Sequence, residues 1–148
     1  MSTSIEEWLR YYTPVQTMAR TVMKDAELGG QCIAKGDRLL MNFAAANRDP
    51  NQFDDPQLLD PERKPNRHAA FGLGIHRCLG SNYARLMIDV MVAAVLRRIP
   101  DYVVDTESSV RYQTIGQVNG WDSVPITFTP SASTGTKLPD PPAFDPRR

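Results

Sequence analysis

The chain has 148 residues, 41% hydrophobic and 23% charged, the balance of one globular domain at most rather than of a fibrous or wholly disordered chain. Seventeen basic residues offset seventeen acidic ones, so no polycationic field argues for nucleic acid and no acidic tail for a basic partner. No stretch of 18 or more apolar residues exists, and MSTSIEEWLR lacks the basic-then-apolar form of a signal peptide, so no membrane span or export is expected. Two cysteines, Cys32 and Cys78, cannot make a disulfide-dense scaffold, and the expected location is the reducing cytoplasm.

In chain order, residues 4 to 12 read as the last turns of a helix, with Ser4 and Glu7 at capping-box spacing and Trp8, Leu9 and Tyr12 on one face. Pro14 stops it. From Val15 to Met41 the pattern changes to short strands and turns: VQTMARTVM alternates, Gly29-Gly30 reads as a hairpin turn and Lys35-Gly36-Asp37 as another. Residues 47 to 70 are nearly all turn formers, with prolines at 50, 56, 61 and 65, and a loop of that length is usually functional.

After the glycine-punctuated FGLGIHRCLG, the positions Leu79, Tyr83, Leu86, Met87, Val90, Met91, Ala94 and Val95 follow the helical period, with Arg97-Arg98 in the last turn and Pro100 as the stop. Strands are expected at Tyr102–Val104, Val110–Ile115 and Ile126–Phe128. Residues 131 to 148 are rich in Pro, Ser, Thr and Gly with little to bury, and a disordered tail is expected there.

The segment Phe71 to Gly80 carries the chemistry. Two glycines two residues apart allow a tight backbone with positive φ. Cys78 sits just before a helix N-terminus, where unpaired amides and the macrodipole favour an anion, with Arg77 adjoining and Gly80 leaving amide access. Such surroundings suit a thiolate that ligates a metal.

FGLGIHRCLG resembles the haem-binding loop of the cytochrome P450 family, Phe-Gly-x-Gly-x-x-x-Cys-x-Gly, with every fixed position filled. The resemblance implies an α+β, mostly helical fold of which the C-terminal haem-binding part with small β-sheets is present, spanning residues 1 to 130. It implies haem b (iron protoporphyrin IX) with Cys78 as proximal thiolate, a ligand that favours O–O cleavage. Phe71 would pack against the ring, and Gly72 and Gly80 would give the backbone access to it.

Other landmarks follow in the family's order. Glu7-Trp8-Leu9-Arg10 is similar to its Glu-x-x-Arg motif, and Asn47-Arg48-Asp49-Pro50 comes at a suitable interval. The family often completes that ion-pair network from a Pro-x-Arg-Phe segment, but here the matching stretch is Pro56-Gln57-Leu58-Leu59, and His68 becomes the expected third member. His76 and Arg20 match propionate contacts of bacterial relatives. Val15-Gln16-Thr17 and Gly116-Gln117-Val118 resemble the two places where this half of the fold meets substrate.

The expected function is therefore that of a haem-thiolate monooxygenase. It would insert one atom of dioxygen into a small apolar organic substrate, with electrons from a ferredoxin and its reductase. Arg77, Arg85 and Arg97 would offer a basic docking patch. The resemblance lacks the long distal helix with its acid–alcohol pair, so a fragment of a longer frame is expected. A catalytically inactive, truncated haem-binding module is the alternative. A zinc site from Cys32, His68, His76 and Cys78 fails on spacing, since His76-x-Cys78 is the only close pair.

Overall fold

A computed structural model describes residues 2–113 and 116–130, so the expected tail at 131–148 and two residues of the expected 110–115 strand lie outside the described residues. Helix α1 spans Ser2–Tyr12. It begins earlier than capping-box spacing predicts: Ser4 lies inside it and its hydroxyl donates to the Pro61 carbonyl at 3.4 Å, while Glu7 turns to Arg10. Its end is built by Thr13, which takes a left-handed φ of 41°. A threonine is held in that conformation by its surroundings: its hydroxyl donates to the Arg10 carbonyl at 2.6 Å and accepts from the Asn47 amide at 2.9 Å.

Four short strands follow. β1 (Thr17–Thr21) pairs antiparallel with β4 (Arg38–Asn42), Thr17 opposite Asn42. Between them β2 (Ala26–Leu28) and β3 (Gln31–Ile33) form the hairpin expected from Gly29-Gly30, both glycines at positive φ. The short helix α2 (Phe43–Ala46) starts on an Asn42 cap, whose side chain accepts from the Ala45 amide.

The 47–70 stretch is irregular, as the turn formers dictate, and a 3-10 turn at Gly74–His76 precedes α3 (Ser81–Arg98). Leu79 falls outside α3 and is fully exposed. Beyond α3, β5 (Val103–Val104) pairs with β8 (Ile126–Thr127), and β6 (Val110–Arg111) with β7 (Trp121–Ser123). In β7 the strand-favouring Trp121 is followed at once by Asp122 and Ser123, too short a run to read as a strand in the sequence.

The core is small. Ile5 and Leu9 of α1 meet Ala70, with Trp8, Phe71 and Ile88 packed around them. Tyr12, expected to share a face with Trp8 and Leu9, is exposed. α3 touches this core on one stripe only, because α1 is the one other long helix among the described residues; Leu86, Val90 and Met91 stay exposed. No described helix is long and apolar enough to cross a membrane.

Candidate haem-binding site

The site rests on a buried ionic network. Arg10 and Glu7 are fully buried and form a fork, Nε to Oε2 at 2.8 Å and Nη2 to Oε1 at 2.7 Å. The remaining Arg10 protons go to the carbonyls of Asn47, Pro56 and Leu58 at 2.8, 2.9 and 3.0 Å, so each of its N–H donors has an acceptor. Glu7 also accepts from the Asp60 amide at 2.9 Å and from the Asn66 side chain at 2.9 Å. Burial alone would raise the Glu7 carboxyl; the donors Arg10, Asp60 and Arg63 outweigh it and hold the pKa at about 2.

The third charged member is Arg63, not His68. Arg63 reaches Glu7 Oε1 at 3.2 Å and donates to the carbonyls of Asp54, Asp55 and Leu58. Its guanidinium donates to the carbonyl of Leu58, the residue at the arginine position of the Pro-x-Arg-Phe register, from five positions further along the loop. His68 binds the neighbouring carboxylate instead, Nε2 lying 3.0 Å from Glu6 Oε2. Its other ring nitrogen accepts from the Ala70 amide at 3.1 Å, which fixes the Nε2–H tautomer. Burial lowers the His68 pKa, against the pull of Glu6.

Asn47, fully buried, links this network to the cysteine loop. Its side chain donates to Thr13 and accepts from the Ala69 amide at 2.6 Å, two residues before Phe71. The loop then folds back on itself: the Cys78 amide donates to the Phe71 carbonyl at 2.8 Å, and Arg77 to Gly74 at 3.1 Å. Gly72 and Gly74 sit at φ of 69° and 68°, the left-handed region that requires glycine. Cys78 is a free, exposed thiol. A Cβ on Gly80 would lie 3.9 Å from Cys78 Sγ, so the glycine keeps the approach to the sulfur bare.

This donor set fits a haem. A free thiol stands on a loop that leaves the apolar side chains of Leu73, Ile75 and Leu79 exposed, a surface suited to an apolar macrocycle. The amides of Leu79 and Gly80 donate to no backbone carbonyl of the described residues, which leaves them available to the sulfur. His76 is exposed and makes no side-chain hydrogen bond among the described residues; Arg20, exposed on β1, donates only to the Ala19 carbonyl. Cys32 is exposed on the β2–β3 hairpin, and no group of three or more His, Cys, Asp or Glu side chains gathers among the described residues.

Two further segments are brought together. Val15 bridges Val118, the Gln16 amide donates to the Gln117 carbonyl at 2.9 Å, and the Thr17 hydroxyl to Gly116 at 3.0 Å. Arg85 leaves the expected basic patch, because Glu6 holds it in a fork and only about a quarter of its side chain is exposed. Arg67 and Arg77 are exposed and line a cleft of about 380 Å³ beside the loop.

The family model described as Cytochrome P450 matches residues 1–107. A steroid C26-monooxygenase of Mycobacterium tuberculosis is 40% identical over 133 residues, covering 89% of this chain and 36% of that protein. The polyketide biosynthesis protein PksS of Bacillus subtilis is 37% identical over 131 residues, 87% of this chain and 32% of that protein. A solved Bacillus megaterium cytochrome P450 in complex with testosterone superposes with a TM-score of 0.80 at 35% identity, covering 85% of this chain and 35% of that one. The chain thus spans about a third of the length of the relatives it matches.

Proposed function

The chain belongs to the cytochrome P450 family, and from that premise we propose that it is the haem-binding portion of a haem-thiolate monooxygenase in which Cys78 would hold the haem iron. The observation that carries the proposal is the Cys78 loop: a bare, exposed thiol on a backbone tied through Phe71, Ala69 and Asn47 to the Glu7–Arg10 fork. When bound, haem b supplies the redox chemistry by which one atom of dioxygen enters an apolar organic substrate and the other leaves as water.

The chain's own residues bind and orient. Cys78, three residues before α3, would hold the metal through its sulfur. His76 and Arg20 would take the propionates through charge-assisted hydrogen bonds. The joined Val15–Thr17 and Gly116–Val118 segments form the part of the substrate wall that this chain contributes. Arg67 and Arg77, which make no ion pair among the described residues, present cations beside the loop to an acidic electron donor, a ferredoxin served by its reductase, in the cytoplasm.

Haem titration of the chain, followed by Soret absorbance, tests the binding role. One equivalent should bind, and Cys78→Ala should lose the thiolate-type spectrum while Cys32→Ala keeps it. The second reading, a haem-binding module without turnover, takes its support from the exposed apolar face of α3, which the described residues leave uncovered. It predicts the same titration and no substrate oxidation.

A further inference from the structure

A second ionic cluster gathers on Glu6, which α1 points away from the Glu7 network. Glu6 grips Arg85 of α3 with both carboxylate oxygens, Nε to Oε1 at 2.5 Å and Nη2 to Oε2 at 2.7 Å. The same Oε2 takes His68 Nε2 at 3.0 Å. The guanidinium so held lies flat enough to place its carbon 4.6 Å from the centre of the Phe71 ring, a cation–π distance, and Arg85 also reaches the Ser81 carbonyl at 3.4 Å. His68 also lies beside that ring, centroids 6.2 Å apart. One carboxylate therefore fixes both neighbours of Phe71, and the Phe71 carbonyl is the acceptor for the Cys78 amide at 2.8 Å.

We propose that Glu6 is a positioning residue for Cys78: by holding Arg85 and His68 around Phe71 it sets the backbone carbonyl on which the cysteine loop closes. The idea rests on the reading of Cys78 as the haem ligand for its purpose, but not for its geometry. Glu6 ties three separate pieces of chain, α1, the loop at 68–71 and α3; Asn47 joins the Glu7 network to Ala69, but that network makes no hydrogen bond to α3 among the described residues. A carboxylate is required because it must accept two parallel guanidinium N–H groups and an imidazole N–H at once. Arginine is required at 85 because a planar fork can be held edge-on by the carboxylate while its face covers a ring; an ammonium cannot do both.

Amide hydrogen exchange of the 148-residue chain without haem tests the proposal. In Glu6→Gln the Cys78 amide is expected to exchange about tenfold faster. The Val22 and Gly36 amides, bonded to Asp37 and Val22 carbonyls far along the chain, should keep their wild-type rates. Arg85→Lys keeps the charge but loses the stacked fork, and should show a smaller rise confined to the same amide.

Equal acceleration at all three amides would reduce Glu6 to a general stabilising residue. An unchanged Cys78 amide would overturn the proposal outright. Should Glu6→Gln fail to fold, Arg85→Lys decides by the same two criteria. Haem loading of the unmodified chain reports separately on the ligand role, since a missing thiolate spectrum there would refute that role while leaving the exchange result to stand or fall by itself.

Discussion

Arg63 Nε lies 3.2 Å from Glu7 Oε1, and so an arginine from the loop completes a carboxylate that α1 has already half paired with Arg10. Truncating Arg63 to methionine would leave Glu7 short of a donor and strand the Asp54 carbonyl, while those of Asp55 and Leu58 keep the Leu58 amide and Arg10 as donors. A loss of about 3 kcal/mol is expected, as for removal of one partner of a buried pair. Arg63→Lys should lose about 1–2 kcal/mol, since it keeps the charge and gives up most of the hydrogen bonds. Urea unfolding with unchanged slope is the measurement.

Glu7→Gln and Arg10→Lys should be more damaging than any change at the thiol itself. Either leaves a buried, unmatched group in the fork, at about 3–5 kcal/mol. Cys78→Ala removes an exposed sulfur and should stay within about 0.5 kcal/mol of wild type. Equilibrium denaturation of the three variants side by side checks this order, which places folding in the network and ligation in the loop.

Acid should weaken the fold in two stages. His68 has a lowered pKa in the folded chain, so its contribution is complete above its ordinary value of 6.5 and is lost as pH falls through the folded value. Glu7 is held at about 2 against an ordinary 4.5, so its contribution is complete above 4.5 and is lost as pH falls towards 2. The Glu7 stage is worth on the order of 3 kcal/mol. Stability measured from pH 7.5 to 3 should fall gently first and steeply later, and His68→Gln should remove the first slope only.

The two helices, the hairpin at Gly29-Gly30 and the cysteine loop were legible because periodicity, paired glycines and a fixed motif each act over a few residues. The third member of the Glu7 network was not legible. Motif register points to Leu58 or to a nearby histidine, whereas the loop brings Arg63 back over Leu58, a reach that only the folded chain defines. The separation of His68 from Glu7 follows from helix geometry. Successive residues on a helix diverge by about 100°, so Glu6 and Glu7 face different partners although they adjoin in sequence. That divergence sends Glu7 to the 58–66 loop and Glu6 to α3. β7 escaped notice because Trp-Asp-Ser carries neither alternation nor β-branching.

Whether Cys78 binds haem iron as a thiolate is read from the carbon monoxide difference spectrum of the haem-reconstituted, reduced chain. A strongly red-shifted Soret band that survives Cys32→Ala and disappears in Cys78→Ala is expected. A histidine-type band in the unmodified chain, or a red-shifted band that persists in Cys78→Ala, would contradict thiolate ligation by Cys78.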